Sequence, residues 1–101
     1  MMIKKELKPD SWIWAIVQNP GKKESFLGQH DTTNDIRFVP AFYDKESATR
    51  CLNSFITDKS LEYEAQAVIL EDLLNYTKKQ GFIIFILNNE GKILDKLSKD
   101  S

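Results

Sequence analysis

Residues 82–87 read FIIFIL, six apolar side chains in succession. On a β-strand alternate side chains point to opposite sides, so Phe82, Ile84 and Ile86 oppose Ile83, Phe85 and Leu87, and neither side is polar. Two other stretches share this property. Residues 12–17 (WIWAIV) set Trp12, Trp14 and Ile16 against Ile13, Ala15 and Val17, and residues 36–43 (IRFVPAFY) set Ile36, Phe38, Pro40 and Phe42 against Val39, Ala41 and Tyr43. Strands that are apolar on both sides belong in the middle of a sheet covered on both faces. A chain with three of them needs a layered architecture with helices as the cover.

Two helices are available. Asp44 is a good N-cap with Glu46 in the first turn, and Ala48, Cys51, Leu52, Phe55 and Ile56 follow at helical spacing as one apolar stripe. The second is expected from about Leu70 to Gln80, with Glu71 and Asp72 at its start, Lys78 and Lys79 in its last turn and Gly81 as the stop. Residues 61–68 (LEYEAQAV) alternate as a half-buried strand should. Asn19-Pro20-Gly21 turns the first strand into a short second one over 25–28, and Asn89-Glu90-Gly91 turns the FIIFIL strand into a last one over 92–97. The polar stretch 30–35 (HDTTND) reads as a loop. Pro40 cannot donate to a ladder, so its strand lies at an edge, carries a bulge, or has the proline near its end.

The element order is therefore β-β-β-α-β-α-β-β. The fold class is α+β (mixed α/β), with a single mixed sheet of five to six strands and two helices. Residues 1–10 are expected as a flexible arm, 11–97 as one domain and 98–101 as a tail. Right-handed crossovers place both helices on one face if the strand order keeps moving one way, and on opposite faces if it reverses. In the first case one apolar face stays open for a partner.

The two tryptophans sharpen that choice. A buried aromatic removes about 150–250 Å² from water, worth up to about 4–6 kcal/mol. Trp12 and Trp14 are therefore expected to be covered, either by a helix of the same chain or at an interface. Phe38 is the third residue assigned to such an interface.

Composition excludes several classes. With 14 basic and 15 acidic residues among 101, the net charge is −1, which provides no electrostatic footprint for nucleic acid. One cysteine allows no internal disulfide, the start of the chain has no signal-peptide pattern, and no apolar run is long enough to span a bilayer. The expectation is a cytoplasmic protein that engages neither membrane nor nucleic acid.

The segments FVPAFYDKESATRCL (38–52) and AVILEDLLNYTKKQGFIIFILN (67–88) resemble the N-terminal domain of the SseB (enhanced serine sensitivity) family, or a related family of small uncharacterised bacterial proteins. The likeness lies in the Val39-Pro40-Ala41-Phe42 strand leading into a capped helix. It continues in the Leu70-Glu71-Asp72-Leu73-Leu74 helix leading into an apolar strand that ends at Asn88. The resemblance covers roughly residues 36 to 90 and implies a compact α/β domain without catalytic residues to carry over. The family turn Asn-Pro-Gly is replaced here by Asn88-Asn89-Glu90-Gly91.

No catalytic constellation is legible. His30 and Asp31 are adjacent in the polar loop, where neighbours rarely face each other, and no second histidine exists for a metal. Cys51 lies on the apolar stripe of its helix, where a thiol packs rather than reacts. PGKKES (20–25) lacks the first glycine and following helix of a phosphate loop, and Asp31 and Asp35 lack the glycine and terminal glutamate of a calcium loop. Glu62 and Glu64 read as the solvated side of a strand. No cofactor, metal or catalytic residue is assigned, and the chain is not expected to be an enzyme. Two readings remain. The first is a protein-interaction or homodimerisation module using an apolar sheet face or edge. The second is a small-molecule-binding or enzymatic domain near the 28–35 loop, with His30 and Asp31 as its polar groups.

Overall fold

The computed structural model describes residues 7–55 and 59–98. The expected stripe residue Ile56 and most of the expected arm and tail lie outside them. The elements run β1 (Trp12–Gln18), β2 (Ser25–Phe26), β3 (Gln29–Asp31), β4 (Ile36–Phe42), α1 (Lys45–Phe55), β5 (Tyr63–Ile69), α2 (Leu70–Gln80), β6 (Ile83–Leu87) and β7 (Ile93–Leu97). They form one mixed α+β sheet of seven strands with two helices.

Across the sheet the long strands follow β5-β1-β4-β6-β7, with β4 and β6 parallel and the other contacts antiparallel. The three strands that are apolar on both sides, β1, β4 and β6, are thus the central three. The remaining pieces, β2 and β3, fill a wedge. β2 pairs with the end of β1, and β3 with the start of β4, where those two strands no longer pair with each other.

The one strand added to the expected order is β3, whose sequence QHD was read as loop from His30 onward. Its pairing with residues 36–38 of β4 makes it a strand, because the ladder hydrogen bonds and not its own propensity decide. Pro40 is fully buried in a central strand, so the edge alternative is excluded. It falls between Phe38, the last residue paired with β3, and Ala41, the first paired with β1, where the ladder on that side changes partner. A missing N–H at the changeover leaves no strand partner unsatisfied.

β4, β5 and β6 run the same way. The chain crosses from β4 over β1 to β5 through α1, and returns from β5 to β6 through α2. The reversal puts the helices on opposite faces. On one face Leu70 and Leu73 of α2 pack on Ile13, Ala15, Val39, Ala41, Ile84 and Ile86. On the other, Ala48 and Cys51 of α1 pack on Ile16, Phe42, Phe85 and Leu87. The alternative with both helices on one face, and a whole sheet face bare, does not occur.

Local chemistry closes the elements. The Asp44 carboxylate accepts from the Ser47 N–H at 2.8 Å as the N-cap of α1. Gly81 ends α2 with φ of 80°, a left-handed conformation that glycine adopts at little cost. Residues 7–10 are held by the start of α2: Glu71 N–H donates to the Pro9 carbonyl, and Leu7 packs on the α2-side core. At Gly28 a Cβ would sit 2.8 Å from the Phe82 ring, so the segment between β2 and β3 passes close only because that residue has no side chain.

Candidate functional site

The α1 face is unevenly covered. The helix rests on β5, β1 and β4. This leaves two apolar regions in reach of solvent, one at the start of β1 and one over β6 and β7.

The first holds the tryptophans. Trp14 is half-buried against the α1-side core, with the Lys45 ammonium 5.9 Å from its ring centre. Trp12, two residues earlier on the same side of β1, is 63% exposed. The expectation that both tryptophans are covered therefore fails for Trp12 within the single chain. It sits beyond the first turn of α1 and beside Ile69, its cross-strand neighbour on β5.

The second is a groove of about 330 Å³ between β3, the end of α1 and β6–β7. Its floor is the stacked pair Phe38 and Phe85, with ring centres 4.5 Å apart, and Phe55, Leu87 and Ile93 form its walls. Lys96 reaches over Phe85 at 5.7 Å, and Ile93 is 50% exposed. Phe38 thus belongs to this groove and not with the tryptophans. Trp14 pairs with Phe42, four residues further along β4, which separates the two regions by about 13 Å.

His30 and Asp31 lie at the groove rim with Gln29, whose side-chain amide donates to the Phe55 carbonyl at 3.4 Å. They do not act on each other through a hydrogen bond. His30 Nε2 lies 2.9 Å from Asp35 Oδ1, an exposed contact across the β3–β4 loop. The Asp31 carboxylate accepts from the N–H groups of Thr33 and Asn34 and from the Asn34 side chain at 3.0 Å. That side-chain hydrogen bond holds the Asp31 carboxyl below the usual aspartate range. Both polar groups are engaged in shaping the loop.

The Cys51 thiol is buried, donates to the Asn88 carbonyl at 3.5 Å, and has its pKa pushed up by burial. Such a thiol is a poor nucleophile at neutral pH. Among the described residues no cluster of His, Cys, Asp or Glu is arranged to hold a metal, and no buried side-chain nitrogen or oxygen lacks a hydrogen-bond partner. No helix among them is long and apolar enough to cross a membrane.

What sequence reasoning missed is Phe85. It appears in FIIFIL as one more core residue, yet the parallel pairing of β4 and β6 stacks its ring on Phe38 from a segment over forty positions away. Comparison with protein-family models, with curated proteins and with solved structures finds no match to this chain.

Proposed function

We propose that this chain is a non-enzymatic protein-interaction module of the cytoplasm, docking through the apolar corner where β1 begins. The observation that carries the reading is Trp12, 63% exposed on a strand whose next residues, Ile13, Ala15, Ile16 and Val17, are all buried. A hydrated indole forgoes a burial worth about 2 kcal/mol or more, which a partner surface recovers. Aromatic residues, and tryptophan above all, are enriched where interfaces concentrate their energy. The likeness of residues 38–52 and 67–88 to SseB-type N-terminal domains belongs to the same proposal. Those segments build β4–α1 and β5–α2–β6, the frame that presents the corner.

A photo-crosslinking amino acid in place of Trp12 tests this in cells that carry the gene. A discrete protein adduct at position 12, and none from the exposed helix position Asn53, is expected. Equal yields at the two positions, or none at either, overturn the reading.

The 330 Å³ groove favours a second reading, a small-molecule site with Phe38, backed by the buried Phe85, as its apolar floor and His30 and Asp31 at the rim. Here the discriminating measurement is the movement of His30 and Asp31 resonances on adding metabolite mixtures. Shifts confined to those residues and to the Phe38 and Phe85 rings would favour the groove over the Trp12 corner.

A further inference from the structure

We propose that the partner is a second copy of this chain, paired antiparallel along the outer edge of β5 about a two-fold axis at Gln66. The inference rests on the protein-interaction reading and names its partner and register.

The backbone supplies the first argument. Asn19 N–H donates to the Glu62 carbonyl, and Leu70 N–H donates to the Ser11 carbonyl. Between those bonds Trp12 pairs with Ile69 and so on to Gln18 with Tyr63. An antiparallel ladder alternates bonded and non-bonded pairs, so residues 62, 64, 66, 68 and 70 turn their backbone groups toward β1. Tyr63, Ala65, Ala67 and Ile69 turn theirs outward. Among the described residues no strand pairs with that edge.

The edge is also lightly guarded. β5 is seven residues long, YEAQAVI, without proline, glycine, lysine or bulge; Glu64 is its one charge, and none of its residues is fully buried. Natural sheets blunt exposed edges with such devices, and a regular edge with a single charge is a template for another strand. The partner most readily matched to it is itself.

Register follows from the outward groups. They are all odd-numbered, so an antiparallel copy must set odd residues opposite odd residues. Full overlap of the strand then places Tyr63 opposite Ile69, Ala65 opposite Ala67 and Gln66 opposite Gln66. On the α1 side this gives an aromatic against a β-branched residue, and alanine against alanine. On the α2 side Glu64 meets Val68, and the two Gln66 amides meet across the axis. No like charges face each other.

The same register extends the apolar surface that begins at Trp12. Its indole lies beside Ile69 on the α1 side, and Tyr63 of the second copy lies on the far side of Ile69. Trp12, Ile69 and that Tyr63 form one continuous apolar run across the junction. The arrangement uses one surface of each copy and closes at two, with both β7 edges on the outside.

Sedimentation equilibrium over a wide concentration range tests the proposal, with thermal melts confirming that each variant is folded. The wild-type chain is expected to dimerise reversibly. Gln66→Lys and Gln66→Glu each place like charges directly opposite across the axis and should weaken the dimer by roughly tenfold or more. An equimolar mixture of the two should restore a heterodimer that added salt weakens. A wild-type chain that stays monomeric throughout, a dimer indifferent to both charges, or a mixture that fails to rescue overturns the proposal. Dimerisation that ignores both Gln66 variants but is lost in Trp12→Ala overturns the β5 register while leaving the Trp12 docking surface standing, as does a monomer whose position-12 crosslinker captures another protein.

Discussion

Among the described residues β5 and β7 bound the same sheet, each paired with a central strand on one side only, yet their ends of the molecule are built to different rules. β7 pairs continuously with β6 over three positions, from Ile84 with Leu97 to Ile86 with Asp95. Then Leu94 is skipped, so that Leu87 pairs with Ile93. The skipped residue bends the strand, and Asp95 and Lys96 place charges on it, both of which discourage a further strand. β5 instead keeps regular register with β1 along all seven residues. Burial does not separate the two edges: neither β5 nor β7 has a fully buried residue, and each flanks a buried central strand, with Ile13, Ala15 and Ile16 of β1 beside β5 and Ile84, Phe85 and Ile86 of β6 beside β7. The two edges thus differ in the regularity of their pairing, which β5 keeps and β7 loses.

The largest effect is expected from Phe85→Ala, on the central strand that β7 flanks. Removing a ring that is 4% exposed should cost about 3–5 kcal/mol in urea unfolding, whereas Tyr63→Ala, on the half-buried β5, should cost about 1 kcal/mol in dilute solution. Similar losses from the two would contradict the difference in burial between central β6 and edge β5. Next comes the turn that sets up the β7 bulge. Gly91 has φ of 81°, with no atom near a prospective Cβ, so Gly91→Ala should cost about 1 kcal/mol through backbone strain alone and leave β5 chemical shifts unchanged.

Hydrogen exchange sharpens the comparison at lower energy. The Tyr63, Ala65, Ala67 and Ile69 amides should exchange quickly in dilute solution and slow as concentration rises, while β7 amides show no concentration dependence. Equal behaviour of the two edges would remove the distinction. The smallest effect is expected at the groove rim on the β7 side. His30–Asp35 is an exposed pair, with Asp35 91% exposed, and Asp35→Asn should change stability by less than about 1 kcal/mol. Asp31 has a lowered pKa in the folded chain, so its contribution to the loop is present above the ordinary aspartate value and is lost as pH falls through the lower folded value. Acid titration of the Thr33 and Asn34 amide resonances should follow that loss, and Asp31→Asn should abolish the titration.

Much of the frame was legible from side-chain pattern. Two-sided apolarity in β1, β4 and β6 identified the central strands, and acidic residues at the start of α2, lysines at its end and Gly81 beyond bounded that helix to the residue. Less was legible where pairing overrides composition. QHD is a strand because β4 offers Ile36, Arg37 and Phe38 a partner, and Pro40 is tolerated centrally because its neighbours change there. The candidate sites were partly visible. Trp12 and Trp14 were identifiable as demanding cover, but their different exposures depend on where α1 comes to rest. Phe38 was identifiable as apolar, but its separation from them and its stacking on Phe85 depend on strand order. Likewise His30 was found beside Asp31 in sequence and beside Asp35 in space, because the loop between β3 and β4 folds back on itself.

By itself the amino-acid sequence determined which segments are central strands, which are amphipathic helices and where the sharp turns fall. These are local consequences of side-chain alternation, helical spacing, capping and the φ preferences of proline and glycine. Only the tertiary structure decided that the helices lie on opposite faces, that α1 stops short of Trp12, and that β5 and not β7 carries the regular free edge. Those outcomes follow from the order in which strands are laid down across the sheet. Strand order depends on contacts between residues far apart in the chain, and no local pattern records it.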